Sequence, residues 1–273
     1  MSERWLGAPV CITGMHRSGT STVAQLLHRC GLYLGPQDQL FASGPDNPDG
    51  YWEHKNFRAI NERILGTFGG GWDLPPSLAA GWYEDERLRP LRSEAERLLR
   101  EFDGHERWGW KDPRNSLSLP FWMDLFPEVR VVVCLRNPLE VAQSLRKRAM
   151  SSYAFSLNLW TIHNQRLLDA LPEDRYIVTH YETYFYRPTV ELRRVLDFLR
   201  LPASDQLVAR ARTSTLKSLR HHSVTTQQLL EANVSPQLSD LYLRLCRQAG
   251  WDDDRPFFPR RPDGGDATEE VLV

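Results

Sequence analysis

The chain has 273 residues, with 34 lysines and arginines against 35 aspartates and glutamates, for a formal net charge of −1. That length supports one α/β domain with a sizeable core, and the balanced charge excludes a globally basic surface for nucleic acid or an anionic membrane, so any basic site must be local. No apolar run approaches the roughly 20 residues of a membrane span, and the opening MSERWLGAPVCITG lacks the basic-then-apolar order of a signal peptide.

The first predicted strand runs from Val10 to Thr13 and ends at Gly14. A loop follows, Met15-His16-Arg17-Ser18-Gly19-Thr20-Ser21, and then a helix marked by Val23, Leu26, Leu27 and Cys30, with Gly31 at its C′ position. Strand, glycine-bounded loop and helix together turn backbone N–H groups and a helix N-terminus toward one point, which suits a phosphate. The spacing nearly fits G-x-x-x-x-G-K-[ST], but Thr20 stands in the lysine slot and Arg17 is the nearest cation. A loop for a nucleoside triphosphate with magnesium normally needs that lysine; a loop for a monoester phosphate does not.

Leu32 to Leu34 reads as a short second strand, and residues 36–50 as a polar loop rich in Pro and Gly. Gly50-Tyr51-Trp52-Glu53-His54 then leads into a helix carrying Phe57, Ile60, Ile64 and Leu65. Glu53 is either a carboxylate favoured by the helix dipole or a general base. Residues 66–83 hold five glycines and two prolines with Trp72, Trp82 and Tyr83. They form either an acceptor-binding lid with aromatic platforms or a surface excursion pinned by its tryptophans. An amphipathic helix from about Pro90 to Phe102 buries Leu91, Ala95, Leu98, Leu99 and Phe102.

A third strand over residues 107–111 ends at Lys111-Asp112-Pro113-Arg114. Ligands of open parallel sheets gather at the carboxyl ends of strands, which places Lys111 and Arg114 to assist the loop after Thr13. The competing reading of Lys111 is a snorkelling surface lysine. Pro120 to Phe126 reads as apolar connecting material. The fourth strand, Val129 to Leu135, is continuously β-branched and so buried on both faces. Arg136 stands at its end; Asn137, Pro138 and Glu140 form an Asx-type capping box, and Ser144 follows on the helix. Arg136 and Ser144 could both reach one dianionic phosphate.

The first loop resembles the 5′-phosphosulfate loop of the sulfotransferases that use 3′-phosphoadenosine-5′-phosphosulfate (PAPS), roughly T-Y-P-K-S-G-T in cytosolic members. Arg17 in place of lysine is like the bacterial and carbohydrate-type members. Arg136-Asn137-Pro138-Leu139-Glu140-Val141-Ala142-Gln143-Ser144 resembles their 3′-phosphate element, R-N-P-x-[DE]-V-A-x-S. A last strand over 175–179, then Tyr181-Glu182, Arg187-Pro188 and a helix with Leu192, Val195, Leu196 and Leu199, is similar to a further family segment, in which Tyr181 and Glu182 are structural. Residues 235–249 make a final helix with Leu238, Leu241 and Leu245.

The resemblance implies a three-layer P-loop-type α/β fold with a central parallel sheet of about five strands flanked by helices. It implies one sulfotransferase-like domain over 1–251, with a flexible tail over 252–273. The implied activity is metal-independent transfer of a sulfuryl group from PAPS to a hydroxyl or amine of a carbohydrate or small-molecule acceptor. Arg17, Ser18, Gly19, Thr20, Ser21, Arg136, Ser144 and Arg220 would hold the nucleotide. Arg17, Lys111 and Glu53 would be catalytic. The basic stretch 213–226 (Lys217, Arg220, His221 and His222) could close over the 3′-phosphate, although the R-K-G segment of cytosolic members is missing there. Those members also place a histidine base two residues after the lysine, where this chain has Pro113. The heparan-sulfate-type members use a glutamate following the segment after the first helix, and Glu53 is the residue that matches it, with His54, His16 and Asp112 as alternatives. A non-catalytic nucleotide-binding protein of the same fold and a P-loop kinase are the rival readings. Cys11, Cys30, Cys134 and Cys246 are expected as reduced core thiols of a cytoplasmic protein.

Overall fold

In a computed structural model, residues 8–44, 47, 50–149, 151–213 and 224–252 are described. Four parallel strands form one sheet in the order β2-β1-β3-β4. They are β1 (Val10–Thr13), β2 (Gly109–Lys111), β3 (Arg130–Leu135) and β4 (Tyr176–His180). In register, Cys11 lies opposite Trp110 and Val131, and Cys134 opposite Thr179. Alternate residues face opposite sides, as the pleat requires. Cys11, Val131 and Val133 enter one core; Ile12, Val132 and Cys134 enter the other.

Helices cover both faces. On one side lie α1 (Thr20–Arg29), α8 (Pro188–Leu199) and α9 (Asp205–Thr213). On the other lie α2 (Lys55–Thr67), α3 (Arg89–Arg100), α4 (Asn115–Leu125), α5 (Pro138–Ala149), α6 (Tyr153–Ala170), α10 (Thr226–Glu231) and α11 (Pro236–Ala249). A short α7 (Thr183–Tyr186) links β4 to α8. This is the three-layer α/β architecture expected. The chain leaves β1 for β2 on one side and returns to β3 on the other, so the sheet's switch point opens between the carboxyl ends of β1 and β3.

The sheet has four strands rather than five. Leu32 to Leu34 makes a single parallel bridge, with Tyr33 N donating to Arg107 O (2.8 Å) and accepting Gly109 N at its own carbonyl (3.0 Å). Gly31 and Gly35, at φ 100° and 111°, turn the backbone away on either side, so only Tyr33 stays in line. The segment around Pro120 is helix α4, not connecting material. Leu117, Leu119, Phe121 and Trp122 are buried together with Asn115, Ser116 and Ser118, and with polar and apolar residues alike turned inward no stripe shows. All four cysteines are buried and free. Among the described residues no helix is long and apolar enough to cross a membrane.

Candidate active site

The loop after β1 owes its path to two glycines. Gly14 has φ 146°, and a Cβ there would lie 2.3 Å from the carbonyl oxygen of Cys134 on β3. Gly19 has φ 87°, and its Cβ would lie 2.2 Å from the Tyr181 ring. Between them Arg17 also takes a left-handed φ of 70°. Gly19 stands at the N-cap of α1 and has no side chain to cap with, and the first turn carries no acidic residue. The leading amides of α1 therefore keep their donors for an external partner. The hydroxyls of Ser18 and Thr13 are buried and make no hydrogen bond among the described residues. Orphaned buried donors beside a helix N-terminus fit an anion.

The segment after β3 lies against this loop. Arg17 Nε donates to Ser144 Oγ at 2.8 Å, and Arg136 Nη1 donates to the Arg17 carbonyl at 3.3 Å. The Arg136 guanidinium rests over the Tyr181 ring, 4.5 Å from its centre, and its Nε donates to Glu140 Oε2 at 2.7 Å. One aromatic ring thus floors both Gly19 and Arg136. Asn137 caps α5 as expected, accepting from Leu139 N at 3.0 Å. Glu140 does not complete the capping box: its carboxylate takes Arg136 and the amide of Val224 (2.8 Å) instead. Arg220, Lys217, His221 and His222 lie outside the described residues.

Glu53 arrives through a tight turn in which Trp52 adopts φ 59° and packs on His28, their rings 4.9 Å apart. Glu53 precedes α2 rather than capping it; His54 Nδ1 is the cap, accepting from Asn56 N at 3.3 Å. The carboxylate meets Lys111 Nζ at 2.7 Å, Arg114 Nη1 at 3.6 Å and Arg58 Nη1 at 4.0 Å. Lys111 is 2 % exposed, so it is no snorkelling surface lysine. Its ammonium also donates to Tyr51 O at 2.9 Å, and Ser21 Oγ donates to that same carbonyl at 3.3 Å. The donor helix, the Glu53 turn and the end of β2 thus converge on one oxygen. Arg114 is committed to Asp112 and Glu62, both at 3.0 Å.

Each of the three alternative bases has surroundings of its own. Burial holds His54 down to about 4 while its Nδ1 serves as a cap. Asp112 accepts from Asn61 (2.8 Å) and Arg114. His16 turns to Trp72, with ring centres 4.2 Å apart. Trp82 and Tyr83 pack against the core beside Phe68 and Arg92, so that end of the 66–83 excursion is pinned. Sequence reasoning missed Asn47, whose amide donates to Ser21 Oγ at 3.0 Å and to Gly50 O at 2.7 Å. It also missed Asn61 and His163, buried polar residues among apolar helix positions. Their sole signal was polarity where the pattern calls for an apolar side chain.

A loop with unpartnered buried hydroxyls thus lies at the switch point of a parallel sheet, beside a buried carboxylate–ammonium pair. The sequence profile of the sulfotransferase family matches residues 9–205, and the chain belongs to that family of sulfuryl-transferring enzymes. No curated protein matches it in sequence. Among solved structures it is similar to sulfotransferase STF9 from Mycobacterium avium, at 14 % identity and TM-score 0.57, covering 90 % of this chain and 78 % of that one. It is likewise similar to the sulfotransferase domain of the Synechococcus PCC 7002 olefin synthase, at 19 % identity and TM-score 0.53, covering 92 % and 98 %. A sulfotransferase from Alicyclobacillus acidocaldarius matches at 17 % identity and TM-score 0.50, covering 90 % and 97 %. At these identities the likeness speaks for the fold.

Proposed function

We propose that the chain transfers a sulfuryl group from PAPS to a hydroxyl acceptor, without a metal, using Glu53 as base. The observation that carries this reading is the junction of the two anion elements. Arg17 Nε touches Ser144, and Arg136 touches the Arg17 carbonyl. One nucleotide with a group at each of its 5′ and 3′ positions fits such a joined site.

In this reading the amides of α1, with Arg17, Ser18, Gly19, Thr20 and Ser21, hold the 5′-phosphosulfate, and Arg136 and Ser144 hold the 3′-phosphate. The acceptor oxygen forms a bond to sulfur. The bond from sulfur to the bridging oxygen breaks, and its electron pair stays with the departing phosphate. The acceptor proton passes to Glu53. Arg17 and Lys111 neutralise the charge that builds on the bridging oxygen. A sulfuryl group carries less negative charge than a phosphoryl group, so positioning and fixed cations suffice. Lys111 must then exchange Glu53 for the donor, and that exchange frees the carboxylate to accept the proton.

The test is direct. Thermal-shift measurements should show stabilisation by adenosine 3′,5′-bisphosphate and none by ATP with magnesium. Transfer of labelled sulfuryl from PAPS to an acceptor panel should occur. Glu53→Gln should lower kcat by about 10²–10⁴-fold while still binding the bisphosphate. Stabilisation by ATP with magnesium alone would favour a kinase, and transfer unchanged in Glu53→Gln would remove the base.

A further inference from the structure

Three cations surround Glu53, and they differ in how they are held. Lys111 Nζ lies 2.7 Å from Oε1, whereas Arg114 Nη1 and Arg58 Nη1 lie 3.6 Å and 4.0 Å from Oε2. The Lys111 contact is a charged hydrogen bond; the two arginine contacts are too long for one and act through charge alone. Arg58 is partly open to water, which screens it. Arg114 is buried.

The place of Arg114 is set without Glu53. Its Nη1 donates to Asp112 Oδ1 and its Nη2 meets Glu62 Oε1, both at 3.0 Å. Asp112 is buried too, and the same oxygen accepts the backbone amide of Arg114 at 3.0 Å. The other Asp112 oxygen accepts from Asn61 Nδ2, on α2, at 2.8 Å. Asn61 Oδ1 in turn accepts from Ser118 Oγ (2.8 Å) and Trp122 Nε1 (2.7 Å), both on α4. An indole N–H can only donate, so the Asn61 oxygen faces α4 and its amino group faces Asp112. A buried chain of hydrogen bonds thus backs the guanidinium. Burial alone would lower Arg114, yet the carboxylates of Asp112, Glu53 and Glu62 hold it above its ordinary value.

We infer that Arg114, clamped through Asp112 and Asn61, is the positioning residue of the base: it retains Glu53 Oε2 while Lys111 moves to the donor, so that Oε1 receives the acceptor's proton. This rests on the donor reading of the loop after β1. In the structure the charges match in pairs, Lys111 with Glu53, Arg114 with Asp112, and Arg58 with Glu62. Departure of Lys111 takes its hydrogen bond off Oε1 and leaves Glu53 the unmatched ion. Arg114 still attracts the carboxylate, and at 3.6 Å it occupies no lone pair that the proton needs. The acceptor oxygen then forms its bond to sulfur as its proton passes to Oε1. With Glu53 neutral, Arg114 keeps its two other carboxylates and is not stranded.

Hydrolysis of labelled PAPS by the full chain tests this, since water is an acceptor always present. Arg114→Ala should lower kcat by about 10–100-fold, the cost of a misplaced group. KM for PAPS and affinity for adenosine 3′,5′-bisphosphate should stay within about twofold of wild type. In a Glu53→Gln background the same substitution should cost less than about twofold more, because Arg114 acts through that carboxylate. Asp112→Asn must turn its amino group toward Arg114 or toward Asn61, both donors, and should lose about tenfold. Adding Asn61→Asp supplies an acceptor there and should return most of that loss. Arg114→Lys keeps the charge without the fork and should fall between wild type and Arg114→Ala. It carries the test if Arg114→Ala does not fold, which bisphosphate binding reports. A folded Arg114→Ala or Arg114→Lys variant with wild-type kcat, or an equal loss with and without the Glu53 carboxylate, overturns the positioning role. Wild-type turnover in Glu53→Gln, or a wild type that binds the bisphosphate and leaves PAPS intact, overturns the base reading instead.

Discussion

Glu53 and Lys111 hold opposite charges where water scarcely reaches, with side chains 9 % and 2 % exposed and 2.7 Å between them. Burying both ions is expensive, and the pair is tolerable because each is bonded further, Lys111 to Tyr51 O and Glu53 to arginines. Removing one partner leaves the other uncompensated. Lys111→Ala should therefore destabilise the fold by about 3 kcal/mol in urea titration. The double variant with Glu53→Ala should cost clearly less than the sum of the two, since their effects share one contact; simple additivity would deny the coupling. Histidines add a pH dependence. Burial holds His163 down to about 4 and His180 to about 3, whereas an unfolded imidazole titrates near about 6.5. The folded value lies below the unfolded one. The stability these rings give is thus whole above about pH 6.5 and is lost as pH falls toward about 4 and then about 3, by up to about 1.4 kcal/mol per pH unit for each. Urea midpoints at about pH 7.5 and about pH 5 should differ accordingly, and a His163→Gln, His180→Gln variant should show a shallower dependence.

At the scale of elements, α11 lies beyond the part of the chain matched by the family profile, yet it supports the site from below. It packs beneath β4, and Tyr242 Oη meets His180 Nε2 at 3.2 Å, one residue from the Tyr181 ring that floors Gly19 and Arg136. Leu245 on its inner face is fully buried. Leu245→Ala should cost about 2–5 kcal/mol of unfolding free energy, measured by urea denaturation; a loss under about 1 kcal/mol would show that α11 carries little load. The elements that could be read from the sequence are those with a clean period or a run bounded by Gly or Pro. Strand β3 is one such case, as are the stripe of α3 and the inner face of α11. Tyr33 could not be placed, because a lone bridge and a short strand share one composition. Nor could α4, whose Pro120 argues against a helix while burial of most of its side chains holds one. That Arg17, Arg136 and Ser144 gather in one place was legible because strand ends fix where side chains meet. The contact of His163 with the Trp72 carbonyl was not, because it joins residues 91 positions apart.

Over the whole molecule, the sheet order brings the loop after β1 and the segment after β3 side by side, though 119 residues separate Arg17 from Arg136. The two ends of the nucleotide should then be felt as one binding event. Arg136→Ala should weaken adenosine 3′,5′-bisphosphate by about 10–100-fold, the worth of a charged hydrogen bond, and leave adenosine 5′-phosphate nearly unaffected. Equal losses for both ligands would separate Arg136 from the 3′ position.

The carbonyl of Tyr51 receives both Ser21, at the first turn of α1, and Lys111, at the end of β2. One oxygen atom therefore senses the start of α1 and the end of β2 together. Isotopic labelling of that carbon would turn its infrared stretch into a built-in gauge. The band would shift upward when the ammonium departs and downward when the hydroxyl draws nearer, so cleft rearrangement could be timed without attaching any foreign reporter.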